Sequence, residues 1–375
     1  MKKILISGAG IGGLAAAIRL SHNNYDVTVV EKNKLSRTGG YLVALSHQSY
    51  IFAEEMGLIP DLKPFDLGIM SSSYHDKKGR NLLALDYGKM MEGLDIIQLM
   101  RGDLAHVLYQ HAEKKCDIRF GDTIKAIEGS QVTFASGKQE EFDIVIGADG
   151  VHSGVRDIAF DDNDVTHNYL DLHCAAFRLP NILGLKKEFQ THMERNRYMA
   201  VFNTLEGDLG AVFVWANDAR SLPPPEARRD AFLKAFAGSG AKIEKVLPYC
   251  PEGGPPYMDV LSQVYMPVWH KDRSVLVGDA AHCLTLFSGR GAAAAFAGAC
   301  RLCNAIIAND TPEAAFKAYE AEMRPIINEI MPATRGAVKW YVPMSAKNHI
   351  LRDSLMRYVP NSVFRQYFKM KYSNV

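Results

Sequence analysis

The apolar positions change period along the chain. Ile4-Leu5-Ile6 is a short continuous apolar run, Ile11 to Leu20 repeats apolar and alanine residues at helical spacing, and Val27-Thr28-Val29-Val30 is β-branched throughout. With glycines between the first run and the helix, this predicts a βαβ unit of about 30 residues. Helical spacing returns at Tyr50 to Met56 and Leu104 to Ala112, and strands are expected between Ile69 and Leu85 around the turn Lys77-Lys78-Gly79-Arg80. Short alternating strands follow at Ile118 to Phe120, Ile124 to Glu128 and Val132 to Ala135, ending in the apolar Ile144-Val145-Ile146.

From about Asp164 to Asp272 the pattern becomes strand-like, at Tyr169 to Leu179, Glu188 to Thr204 and Ala211 to Ala216. Turn signals at Pro180-Asn181, Glu206-Gly207-Asp208 and Pro223-Pro224-Pro225 separate these segments. A largely antiparallel sheet is expected here. A βα pattern resumes at Ser274 to Val277 and the helix after Gly291, so the first domain is discontinuous. The expected division is 1–70, 96–163 and 273–334 for the first domain, 71–95 and 164–272 for the second, and 335–375 for a C-terminal helical extension. The fold class is α/β.

At 375 residues, two packed domains are more natural than one core. The formal net charge of +1 argues against nucleic acid as a partner, but it hides an asymmetry. Residues 335–375 carry eight Lys and Arg against one Asp, a net +7, which leaves −6 for residues 1–334. Six cysteines are too few for a disulfide scaffold, and a reducing cytoplasm is the expected compartment. Cys300 and Cys303 form a C-x-x-C inside an alanine-rich helix with no second pair or histidine nearby, and read as small core residues; no metal site is expected. Met1-Lys2-Lys3 before an apolar stretch imitates a secretory leader, yet Gly8, Gly10, Gly12 and Gly13 interrupt it, and it reads as mature protein.

Gly8, Gly10 and Gly13 form G-x-G-x-x-G between a strand and a helix, and Glu31 ends the next strand. The first glycine permits a tight turn, the second lets backbone approach a pyrophosphate, and the third lets helix and strand pack closely. The helix start supplies amides to phosphate, and an acid at this distance accepts from ribose hydroxyls. The candidate dinucleotide contacts are Gly8, Gly10, Ile11, Gly12, Gly13, Glu31 and Lys32. Two further segments decide which cofactor. Ile144 to Arg156 places Asp149-Gly150 after an apolar strand, with Ser153 and Arg156 beyond it. Val275 to His282 places Gly278-Asp279 after another, followed by Ser288-Gly289-Arg290-Gly291 at a helix start.

In these three segments, in this order, the sequence resembles the FAD-dependent class A aromatic hydroxylases, the family of para-hydroxybenzoate hydroxylase. The resemblance implies a Rossmann-like FAD-binding domain with a strand-rich substrate domain. It implies that Asp279 contacts the ribityl chain, that Gly289, Arg290, Gly291 and Ala292 present amides to the pyrimidine end of the flavin, and that Arg101, in Leu99 to Leu104, reaches FAD. Asp149 and Arg156 are open between cofactor contact and holding the local fold. Within the family the chain looks closest to the tetracycline-inactivating monooxygenases, through Arg37-Thr38-Gly39-Gly40, Phe177 to Asn181 and the C-terminal extension, which adds Gly40 to the cofactor residues. Leu286 stands where the family commonly has Pro, and Arg290 where it favours Gln; neither change removes a backbone donor.

The resemblance implies a monooxygenase that uses NAD(P)H and O2 to hydroxylate an aromatic or polyketide-like small molecule through a flavin C4a-hydroperoxide, with a tetracycline, and so antibiotic resistance, in view. A single glycine motif implies that nicotinamide binds only transiently. No catalytic side chain is singled out: His152 and His282 adjoin the motifs and read more readily as supporting residues. Phe177, Arg178, His192, Phe213 and Trp215 are the candidate substrate residues, offering aromatic faces and cationic hydrogen bonding. The alternatives are a flavin halogenase, whose W-x-W-x-I-P signature is absent, and a flavin-holding redox or interaction protein without turnover. In the tail, Ile350, Leu351, Leu355 and Val359 have helical spacing, Pro360 breaks the run, and Ser362 can cap a second helix. A brace across the domains is favoured over membrane contact.

Overall fold

The computed structural model describes residues 2–34, 41–161, 164–360, 362–364 and 366. The expected βαβ unit is present as strand Lys3–Ser7, helix Ile11–His22 and strand Asp26–Glu31. It seeds a six-stranded sheet ordered 270–271, 274–276, 144–147, 3–7, 26–31, 117–120, parallel except at the short His270–Lys271 edge. Strands Lys3–Ser7 and Ile144–Gly147 are central, which is why both are almost continuously buried and apolar.

Helix Gly291–Ala308 is long and apolar enough to cross a bilayer, yet it lies mostly buried, packed on helix Ile11–His22. The two approach closely: a Cβ at Gly12 would stand 3.2 Å from the Ala295 carbonyl oxygen. Cys300 and Cys303 are both buried in this helix, as small core residues should be.

The second unit is a seven-stranded sheet, ordered 257–265, 166–179, 209–216, 197–203, 188–194, 71–75, 81–86. All its pairings are antiparallel except that of 188–194 with 71–75. The segment Glu188 to Thr204 is a hairpin turning at Asn196, which adopts φ 64°. The middle region is not all strand: helices Arg228–Phe236 and Ala241–Val246 cover one face of the sheet, burying Phe232, Phe236, Ile243 and Val246.

The division expected at 334/335 falls inside one continuous helix, Pro312–Tyr341, which runs through Pro325 and Pro332. The extension is therefore joined rigidly to the first domain. Thr311 caps the helix start by accepting from the Ala314 amide. At the far end Val338 and Val342 share a buried cluster with Tyr74, Leu83 and Met356, and Phe287 from the first domain belongs to the same cluster. Helix Ala346–Tyr358 follows. Buried Arg352 donates to the carbonyls of Trp340 and Tyr341, fastening the last helix to the end of the long one. The extension thus lies as a brace between the domains.

Candidate functional site

The glycine turn works through close approach. Gly8 has φ 105°, and a Cβ there would lie 2.5 Å from the Ala148 carbonyl oxygen; at Gly13 it would lie 1.9 Å from the Gly8 oxygen. Both positions require glycine, as the motif predicts. Gly10 differs, because nothing lies within 4 Å of where its Cβ would be. That open space is where a cofactor backbone can approach. Glu31 accepts from the Ala9 amide (3.1 Å) and the Asn33 amide (2.9 Å), so its carboxylate is held at the mouth of the turn. A pocket over this turn is lined by Gly8, Gly10, Glu31, Lys32, Arg101 and His152, among others.

A larger adjoining cavity of about 300 Å³ lies between the two sheets. Gly10, Ile11 and Gly12 line it from the first helix, and Gly289, Gly291 and Ala292 from the start of Gly291–Ala308. Two helix N-termini therefore converge on one space, each with amides that have no intrahelical acceptor. Gly289 takes the left-handed conformation (φ 64°), and the Cβ position of Gly291 is open. Asp279 follows Gly278 (φ 61°) and projects into the cavity, reachable by solvent there yet enclosed by protein. That enclosure raises its carboxyl above the usual carboxylate range, an effect the Arg101 guanidinium opposes. Arg101 lines both spaces and so stands at their junction. Open glycines beside free amides, with carboxylates at Glu31 and Asp279, fit the pyrophosphate and hydroxyls of a flavin dinucleotide. Gly40 and the Arg37-Thr38-Gly39-Gly40 stretch lie outside the described residues.

Asp149 and Arg156 are both tied into the local fold, and Asp149 also lines the pocket over the glycine turn. Asp149 accepts from Ser7 Oγ (3.3 Å) and the Val155 amide (3.1 Å), and bonds Ser153 Oγ. Arg156 is buried and donates to the Ala280 (3.1 Å) and Val151 (2.9 Å) carbonyls, tying the second motif to the third. His282 packs on Trp269 with ring centroids 4.8 Å apart, and burial lowers its pKa to about 4. His152 is mostly exposed, 3.6 Å from Asp259, whose hydrogen bond raises its pKa.

The five residues expected at the substrate fall elsewhere. Phe177, Phe213 and Trp215 point to the opposite face of the seven-stranded sheet, packed on Phe232 and Phe236 of the covering helix. His192 lies on that far face too, stacked on His75 at 5.0 Å and hydrogen-bonded to Gln190. Arg178 sits outside the cavity, donating to Thr204, Glu206 and Asp208 of the acidic turn. The alternate residues line the cavity instead: Phe189, Tyr198, Phe202, Val212 and Tyr257, with Tyr41 and Gln98 from the first unit. Strand alternation decides the face, and both faces are apolar here because helices cover one and the cavity the other. The usable signal was Gly210, the glycine in an otherwise apolar strand, which marks where the Phe202 ring lies across it.

A discontinuous dinucleotide-binding sheet, a second sheet over it and one shared cavity define the fold of a flavoprotein. Residues 1–334 match the family described as FAD binding domain, and the chain belongs to that family, the class A flavoprotein monooxygenases. It is 28% identical to a flavin-dependent monooxygenase of Legionella longbeachae, over 87% of this chain and 86% of that one. The crystal structure of the tetracycline destructase Tet(55) superposes with a TM-score of 0.82 at 25% identity, covering 100% of this chain and 97% of that one. Klebsiella pneumoniae HpxO, solved with FAD and uric acid, shares the fold at a TM-score of 0.86 and 18% identity, covering 99% and 96%.

Proposed function

We propose that this protein hydroxylates an aromatic or polyketide-like small molecule at the expense of NAD(P)H and O2, with tetracyclines the first substrates to try. The observation that carries the reading is the cavity, in which Asp279 and the helix start at Gly291 and Ala292 face an aromatic wall of Phe189, Tyr198, Phe202 and Tyr257, while the Gly289 and Arg290 amides donate to Leu286 and Ser288. Such a wall takes a flat apolar body, and Gln98, Arg101 and Asp259 are the polar groups able to orient its oxygens. The likeness to Tet(55) favours a tetracycline over a single-ring phenol.

When bound, the flavin supplies oxygen activation, and the chain's part is placement and exclusion of water. The helix start at Gly291 favours negative charge beside it. The Arg101 guanidinium favours the charged form of Asp279 and so opposes the enclosure that raises its carboxyl. The aromatic wall keeps water from the reacting face. No second glycine-rich nucleotide site occurs in the sequence, which supports transient binding of the reductant.

The test starts with the absorbance spectrum of the purified protein after adding FAD. NADH and NADPH oxidation is then followed across tetracyclines and phenols, with mass spectrometry for a product heavier by one oxygen atom. Reductant oxidation that no compound stimulates would overturn the substrate reading and favour a flavin-binding protein without turnover.

A further inference from the structure

The last described helix carries an apolar face that no other described residue covers. Of the fourteen large hydrophobic side chains exposed among the described residues, six lie between residues 344 and 363: Met344, Ile350, Leu351, Leu355, Tyr358 and Val363. Ile350 and Tyr358 are the most open, at 67% and 78%. At about 100° per residue, Ile350, Leu351, Leu355 and Tyr358 fall within roughly 140° of one helix face. Exposed Lys347 lies in the same arc. The opposite arc carries Arg352 and Met356, both buried, so the helix is anchored by one side and presents the other.

We infer that this outward face, with the basic and aromatic residues that follow it, docks on an anionic lipid bilayer. Charge selects the occupant. From Ser354 to Val375 the sequence has four basic residues, Arg357, Arg365, Lys369 and Lys371, and no acidic one, with aromatics at Tyr358, Phe364, Tyr367, Phe368 and Tyr372. Apolar and aromatic side chains among cations suit a headgroup boundary, where rings and aliphatic stems sink in and the charges meet lipid phosphates. A second copy is disfavoured, because a two-fold contact through this face would set two tails of net +7 against each other. The body, net −6 over residues 1–334, is repelled by the same surface, so the molecule approaches tail first. The bracing contacts use the other side of the helix and persist on docking.

The test is co-sedimentation of the full-length, FAD-loaded protein with phosphatidylglycerol–phosphatidylcholine vesicles and with phosphatidylcholine alone. Binding is expected on the anionic vesicles only, to fall as salt rises, and to weaken roughly tenfold or more in the variant I350S/L351S/Y358S. Those three side chains are exposed, so bound flavin and melting temperature should stay at wild-type values, which separates lost docking from lost fold. No binding, equal binding to neutral vesicles, or binding untouched by the triple variant overturns the proposal. So does a concentration-dependent dimer that the triple variant abolishes, since a second copy would then be the occupant.

Discussion

Gly210→Ala is the sharpest probe of the cavity wall. Gly210 pairs with Phe202 across adjacent strands, and the Phe202 ring lies over it. An alanine Cβ would stand 2.6 Å from Cε2 and Cζ of that ring, where ordinary contact begins at 3.4 Å. The ring must therefore move by about 0.8 Å. It cannot slide along the sheet, because Phe189 stacks on it with centroids 5.8 Å apart and planes 2° from parallel. The remaining direction is into the cavity that both rings line. Overpacking of this kind costs about 1–3 kcal/mol, which in a chain of this size is a fall of several degrees in melting temperature. Thermal unfolding of the FAD-loaded protein measures that fall, and steady-state kinetics should show KM rising more for bulky than for small substrates. An unchanged melting temperature together with an unchanged substrate profile would refute the placement of Phe202.

Three further outcomes are expected. Gly10→Ala should leave the apo fold intact, since its Cβ meets open space, yet weaken FAD binding about tenfold or more; Gly13→Ala should unfold the turn, and circular dichroism with flavin-fluorescence titration separates the two. Arg101→Met should raise the Asp279 carboxyl further, because the guanidinium now opposes the effect of enclosure, and should loosen FAD most strongly as pH falls, read as the pH dependence of the FAD dissociation constant. Buried His282 and His192 have pKa values lowered to about 4 and about 3 against an ordinary 6.5, so the unfolded chain takes up protons first. Stability should be full above pH 6.5 and fall as pH drops toward 4, by roughly 3 kcal/mol for His282 alone; urea titrations giving equal stability at pH 7 and pH 5 would sink this.

The cofactor half of the site was legible because its chemistry demands backbone geometry that only glycine supplies. Gly8 and Gly13 are fixed by carbonyl contacts, and the family resemblance pointed to Asp279 and Gly291, which line one cavity. The substrate half was not legible. Leu209 to Trp215 is buried at every position, so the alternation that would separate Val212 from Phe213 is invisible in residue type. Both are apolar, one for the cavity and one for the core behind it. The boundary drawn at residue 334 follows charge, and the match to the FAD binding domain family also stops there, while helix Pro312–Tyr341 runs on through Pro325 and Pro332. Pairing partners across the sheet, which composition does not encode, settle which of the strand residues Val212 and Phe213 faces the cavity.

The order of the first sheet bears on how the protein is made. Strand Lys3–Ser7 is flanked by Asp26–Glu31 and by Ile144–Gly147, and Ser274–Leu276 joins beyond that. The glycine turn is synthesised about 270 residues ahead of Asp279 and about 280 ahead of Gly291. A nascent chain therefore carries the pyrophosphate grip long before it can close around a flavin ring. Cofactor capture waits until the helix from Gly291 docks its backbone against Gly12, and a flavin held tightly reports that these two distant segments have found each other.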